Sequence, residues 1–268
     1  MGNRRALKNC KIYFIGNAGV LISADGTSVM IDGLYASGGD GFHASPIPKD
    51  ILYDLYCRKG RLPGPDFLIF SHQHDDHLSV KLLDSYLDTH RPGCVFLPEK
   101  SFGVPSRFIH NMKRLGIVHE IVAGEQEQYR PAKNFEVVFY KTRHLGKQFT
   151  QVLHYCILIT LSGYRLLFTA DVDFFSESLN QFRNIPLHAV FVNPFFYHNE
   201  TGQHILGSTV KANRIFIYHL PFEEDDKYYM QHMVRTDIHK YQRSSPVVML
   251  CTPKQEYTLN MQKGEWKM

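Results

Sequence analysis

The sequence predicts an α/β fold built as two similar halves, and three observations predict it. Short apolar runs rich in β-branched residues alternate with segments of helical periodicity along the chain. Two hairpin-like stretches, GVLISADGTSVMID (19–32) and HYCILITLSGYRLLFTAD (154–171), each carry a tight turn and end on an aspartate. No linker-like segment interrupts the 268 residues, so one domain spanning 1–268 is expected.

KIYFIG (11–16) and GVLIS (19–23) read as strands. Asp25–Gly26 supplies the residues a two-residue hairpin turn favours, and VMID follows as a third strand ending at Asp32. The stretch 33–65 contains GGDG and SPIP and reads as an extended loop with a short helix near Asp50–Cys57; it is the expected specificity element. FLIF (67–70) fits a buried strand. Val80, Leu83 and Leu87 recur at helical spacing until Pro92–Gly93. CVFLP (94–98) is another strand, and Phe108, Ile109, Met112 and Leu115 mark a helix stopped by Gly116. FEVVFYKTRH (135–144) is a strand ending in His144, and Ser162–Gly163 turns the second hairpin. AVFVNPFF (189–196) and RIFIYHLP (214–221) read as strands separated by a helix near Ser208–Asn213. VVMLCTP (247–253) and EYTL (256–259) close the chain.

Composition narrows the class. Hydrophobic residues at 44% and charged residues at 21% describe a folded globular protein. Five cysteines, odd in number and without a CxxC pair, argue against a disulfide framework and for a reducing compartment. The basic start MGNRRALKNC lacks a following apolar region, and Ala6 stands where myristoylation needs Ser or Thr. No apolar run approaches the ~18 residues of a membrane span. A cytoplasmic protein without a membrane partner is expected. A net charge of +4 is too mild to indicate nucleic acid but tolerates an anionic small-molecule substrate, and a homo-oligomer is compatible with it.

The chemistry concentrates in Ser71-His72-Gln73-His74-Asp75-Asp76-His77, directly after a buried strand. Imidazole nitrogens and carboxylate oxygens are the ligands zinc accepts. In extended backbone His72 and His74 point the same way, and a turn into the following helix brings Asp76 and His77 beside them. Chance gives H-x-H-x-D-H in roughly three chains per thousand of this composition, so a merely solvated polar loop is the weaker explanation. A second cation needs ligands from elsewhere. His144, Asp171 and His219, each closing a strand-like run, supply two imidazoles and a carboxylate able to bridge; singly, each is also an ordinary turn or core residue.

Taken together, GNAGVLI, MIDG, SHQHDDH, TRH, FTADVD and IYHLP resemble the metallo-β-lactamase superfamily over nearly the whole chain. The resemblance implies a four-layer αββα sandwich with pseudo-symmetric halves. It implies that His72, His74 and His144 hold one metal, that Asp76, His77 and His219 hold another, and that Asp171 bridges them, with Asp32 in support. Two divalent ions are implied, zinc first, manganese or iron as alternatives. True β-lactamases of the superfamily commonly lack an aspartate at the place of Asp171, flavodiiron members carry Glu at the place of His74, and RNA-processing members carry a His-Glu-x-Thr segment absent here. The chain looks more like the cytoplasmic hydrolase branch, which includes ascorbate-phosphate lactonase-like proteins and phosphodiesterases.

Two divalent cations facing two carboxylates leave a net positive site that acidifies water and attracts a carbonyl or phosphoryl oxygen. The expected reaction is hydrolysis of an ester, lactone or phosphoester, with Asp76 as both ligand and catalytic residue, orienting the attacking water or taking its proton. His43, His198 and His204 are candidate proton donors, each more simply a surface histidine. Phe195, Phe196 and Tyr197 wall a pocket or fill the core. Arg107, Lys113 and Arg114 fit a solvated helix face, whereas Lys141, Arg143 and Lys147 flank His144 and would meet an anionic substrate. The alternatives are a mononuclear iron oxygenase of the persulfide dioxygenase type and a non-catalytic binding protein on the same fold.

Overall fold

Asp25 and Gly26 (φ 57° and 76°) adopt the left-handed conformation of a tight hairpin turn, as do Ser162 and Gly163 (φ 51° and 91°). These two turns anchor the halves of the computed structural model, which describes residues 9–37, 44–57, 60–99 and 106–260. In the first half, β1 (Cys10–Gly16), β2 (Gly19–Ala24) and β3 (Thr27–Ile31) form an antiparallel meander. β4 (Phe67–Ile69), β5 (Cys94–Pro98) and β6 (His119–Val122) then add in parallel to β3.

The second half repeats this plan. β7 (Gln126–Ala132) is an outer strand on β8 (Phe135–Thr142). β8, β9 (His154–Leu161) and β10 (Tyr164–Phe168) form the meander. β11 (Ala189–Val192), β12 (Ile215–Ile217) and β13 (Val247–Met249) follow in parallel. β14 (Glu256–Leu259) crosses back to pair with β1. The result is two seven-stranded sheets, ordered 14-1-2-3-4-5-6 and 13-12-11-10-9-8-7.

Strand side chains alternate between two apolar environments, because both faces of each sheet are covered. Ile12 and Phe14 join Phe139, Ile157, Phe168 and Phe191 between the sheets. Tyr13 and Ile15 point outward, to a cluster shared with α1 (Lys49–Cys57), α2 (Val80–Thr89) and α3 (Ser106–Arg114). On the far side α4 (Pro194–His198), α5 (Glu200–Ser208) and α6 (Met230–Tyr241) cover the second sheet through Phe196, Leu206 and Val234. Three apolar clusters thus separate four layers, α, β, β and α. Among the described residues no helix is long and apolar enough to cross a membrane.

Several elements differ from the sequence expectation. AVFVNPFF is not one strand. β11 stops at Val192, and Asn193 caps α4, its side chain accepting from the Phe196 N–H while Pro194 occupies the first helical turn. The helix expected near Ser208–Asn213 lies earlier, as α5, because Asn199 caps it and Thr209 ends it. RIFIYHLP is strand only over Ile215–Ile217, since His219 takes a left-handed φ of 58°. β6, β7 and α6 are additional. The GGDG stretch and His43 lie outside the described residues.

Candidate metal centre

The chain leaves both sheets at one shared edge, and there the chemistry collects. Ser71 to His77 follow β4, His144 follows β8, Asp171 follows β10 and His219 follows β12. Left-handed backbone marks three of the exits: Asp32 (φ 47°) after β3, Ala170 (46°) after β10 and His219 (58°) after β12. Asn17 (48°), in the β1–β2 turn, adds a fourth. Non-glycine residues seldom take this conformation, and such strain concentrates at functional sites.

All seven residues singled out from the sequence meet here. One group that can hold a metal comprises His72, His74, His144 and Asp171; a second comprises Asp76, His77 and His219. His72 Nε2 lies 3.1 Å from His74 Nδ1, and His77 Nε2 lies 3.1 Å from His219 Nε2. Two ligands on one tetrahedral cation, each about 2.0–2.1 Å from it, stand about 3.3 Å apart. The Asp171 carboxylate faces both groups. Its Oδ2 is 3.3 Å from His77 Nε2, 3.6 Å from His144 Nε2 and 3.8 Å from His72 Nε2, and its Oδ1 is 3.6 Å from His219 Nε2. Asp76 Oδ2 is 3.3 Å from His219 Nε2.

The surrounding hydrogen bonds fix which nitrogen of each ring is free. Asp32, fully buried, accepts from the Ser71 N–H (2.8 Å) and hydroxyl (2.6 Å) and from His77 Nδ1 (2.8 Å). The Ser71 proton being committed to Asp32, its oxygen accepts from His72 Nδ1 at 3.0 Å. His144 Nδ1 donates to the Leu145 carbonyl at 2.6 Å. In all three rings Nε2 is therefore left to coordinate, the tautomer that outer hydrogen bonds impose on metal-binding histidines. His144 Nε2 is buried and has no hydrogen-bond partner among the described residues, an arrangement a cation would satisfy.

Electrostatics divides the cluster in two. Burial and the neighbouring His77 and His154 hold His72 well below its ordinary pKa; burial and His144 hold His74 down at about 4, and burial also lowers His144. These rings are neutral, as ligands must be. Burial opposes charge on His77 and His219 too, but Asp171 and Asp76, joined at His77 by Asp32, outweigh it and raise both. Burial likewise works against ionisation of Asp76 and Asp171. His77 and His219 overcome it, holding Asp76 near 2 and Asp171 well below the carboxylate range. The carboxylates thus demand positive charge at the second group, which a divalent cation supplies without protonating the rings. The donor set fits divalent metal ions.

Two supporting residues were not legible in advance. His154, fully buried at the start of β9, accepts from the Asp171 N–H at 3.0 Å and pairs with Thr142 Oγ1 at 2.7 Å. Asn193 donates to the Ala170 carbonyl (3.1 Å) and to Asp171 Oδ1 (3.3 Å). A histidine inside the apolar run VLHYCILIT is itself a signal, because a buried polar ring needs partners. The other sequence candidates have the following places. Phe196 and Tyr197 are core residues, whereas Phe195 is 48% exposed. His198 pairs with Asp237 (2.8 Å), His204 is exposed on α5, and Lys141 pairs with Glu125 (2.6 Å). Arg143 and Lys147 are exposed, as are Arg107, Lys113 and Arg114 on α3.

The architecture is the metallo-β-lactamase fold, and known structures align with it over almost its whole length. YhfI of Bacillus subtilis, a metallo-β-lactamase fold protein, matches with a TM-score of 0.61 and 17% identity over 94% of this chain and 99% of its own. Igni18, a metallo hydrolase of the archaeon Ignicoccus hospitalis, matches with a TM-score of 0.60 and 11% identity over 95% of this chain and 100% of its own. CmlA, a diiron β-hydroxylase of Streptomyces venezuelae, matches with a TM-score of 0.62 and 16% identity over 96% of this chain and 55% of its own, so the chain spans about half of CmlA. No family profile matches the sequence, and no curated protein is similar to it by sequence.

Proposed function

We propose that this protein is a metal-dependent hydrolase that uses two divalent cations, zinc in the first instance, to cleave an ester, lactone or phosphoester. The observation that carries the reading is the Asp171 carboxylate standing between two separate donor groups, within 3.3–3.8 Å of His77, His72 and His144 through one oxygen and 3.6 Å from His219 through the other. His72, His74 and His144 would hold the first cation, Asp76, His77 and His219 the second, and Asp171 both. When bound, the cations supply Lewis acidity and lower the pKa of water towards 7.

The chain's own residues do the rest. Asp32, Ser71 and the Leu145 carbonyl hold three imidazoles in the tautomer that presents Nε2. Asp76 and Asp171 are partly open, with 15% and 19% of their side chains accessible, so a substrate can approach them. Asp76, ionised at neutral pH, would orient the attacking water and take its proton. His74 and His144 pack edge-on against Phe149 at 4.7 and 4.9 Å, which gives one flank of the opening an apolar wall.

Elemental analysis with a screen of lactones and phosphodiesters tests the proposal: about two zinc per chain and turnover abolished in a folded Asp76→Ala variant are expected. Near-normal turnover by that variant would refute the role of Asp76. The second reading is an iron oxygenase, favoured by the diiron chemistry named for CmlA. It predicts iron in the purified protein and oxygen consumption in place of hydrolysis. Within it, the second donor group of Asp76, His77 and His219 speaks for two ions over one.

A further inference from the structure

Asp76 and His219 lie 143 positions apart and belong to different sheets, yet one residue touches the backbone of both. Asn17, fully buried in the β1–β2 turn, donates from Nδ2 to the Asp76 carbonyl at 2.8 Å. Its own carbonyl accepts from the His219 N–H at 2.7 Å, and it forms an antiparallel bridge with Leu220. The amide orientation follows from the contact, since the reverse would set two acceptors against each other at hydrogen-bond distance.

The loop around Asp76 leaves that carbonyl to Asn17. His77 N–H and Leu78 N–H both go to the His74 carbonyl, and the Asp75 carbonyl accepts from Ala36. At its other end Asn17 holds the peptide that enters His219, where φ is 58°. Asn17 also has a left-handed φ of 48°, which asparagine tolerates better than most residues. Neither contact reaches His72, His74, His144 or Asp171.

We propose that Asn17 is a positioning residue for the second cation alone: by fixing Asp76 and His219 relative to each other, it sets the affinity of that ion and leaves the first ion untouched. The inference rests on the two-cation reading above. Loss of an outer-shell contact of this kind weakens a metal site about ten- to a hundred-fold.

The test is calorimetric titration of Zn²⁺ into chelator-treated full-length protein, with Co²⁺ absorption spectra recorded in parallel. Two variants separate the causes. Asn17→Gly removes the side chain while keeping the left-handed backbone unstrained. Asn17→Asp keeps the shape but replaces the donor with an acceptor. The expected result is two Zn²⁺ in the wild type, with the second bound about ten- to a hundred-fold more weakly in both variants and the first within twofold of wild type. Equal weakening of both ions would overturn the proposal, as would an unchanged second ion or loss of the far-ultraviolet circular dichroism of the fold in both variants. A wild type that takes up fewer than two ions fails the two-cation reading itself, and the stoichiometry distinguishes that failure from failure of the inference.

Discussion

Replacing His154 with Leu removes the acceptor that holds the Asp171 peptide, and the cost can be worked from its contacts. The ring is fully buried, so no water replaces what it offered. The Asp171 N–H, 3.0 Å from Nε2, is left without its partner, which costs about 1–3 kcal/mol for a buried donor. The bond to Thr142 Oγ1 at 2.7 Å is lost as well, at about 1 kcal/mol, because Thr142 keeps only a long contact to Cys156 Sγ at 3.7 Å. The metal-free variant should therefore be destabilised by about 2–4 kcal/mol, read as a lower urea midpoint at unchanged slope. Since the Asp171 carboxylate faces both donor groups, affinity for Zn²⁺ should also fall by about ten- to a hundred-fold. His154→Gln retains an acceptor oxygen and should recover part of both losses. Equal stability of wild type and His154→Leu, or a Gln variant no better than Leu, would refute the reasoning.

Asp32→Ala should be more damaging still, by about 3–5 kcal/mol, because it strands the Ser71 amide and hydroxyl and the His77 ring in a fully buried site; a urea midpoint close to wild type would contradict this. Saturating the protein with Zn²⁺ at a hundred times its dissociation constant should add about 2.7 kcal/mol of stability, reversed by chelator, whereas a melting temperature indifferent to both would count against a resident metal. His188 gives a pH signature away from the centre. Burial and the nearby Arg165 lower its pKa, and its Nδ1 already accepts from the Arg165 N–H at 2.9 Å. Above pH about 6.5 the ring is neutral in both folded and unfolded chains and contributes no pH dependence. As pH falls below that value the unfolded chain takes up the proton first, and stability drops until the folded ring titrates in turn. His188→Asn keeps an acceptor for Arg165 and should lose less stability than wild type between pH 7.5 and 5; parallel slopes would dismiss the assignment.

How much of this was legible in the chain depends on whether a signal is local. Asp25–Gly26 and Ser162–Gly163 announce their turns because positive φ requires particular residues, and both hairpins formed where expected. The run from His72 to His77 is dense enough to be read alone, and the strands ending near His144, Asp171 and His219 pointed to the remaining members of the cluster. What could not be read depended on tertiary context. β7, QEQYRPA, is a mostly exposed outer strand whose pattern carries little apolar signal. α6 starts after Tyr229 in a left-handed conformation, and its first N–H groups, those of Met230 and Gln231, go to the Asp226 carboxylate rather than to a cap directly before the helix, so the usual start signal is displaced along the chain. In AVFVNPFF the apolar run hides the break, and Asn193–Pro194, a cap followed by a first-turn proline, was the clue to α4. Asn17 and Asn193 act through backbone atoms of residues distant in sequence, and spacing along the chain cannot report such contacts.

Neither sheet owns a whole set of donors. The first group draws His72 and His74 from one sheet and His144 and Asp171 from the other; the second draws Asp76 and His77 from one and His219 from the other. A cation bound here is a rivet through the seam between the two halves, and coordination cannot be completed until the sheets have docked. Metal uptake during refolding should therefore report the last act of assembly, and extracting the ions should loosen the seam before it disturbs either sheet.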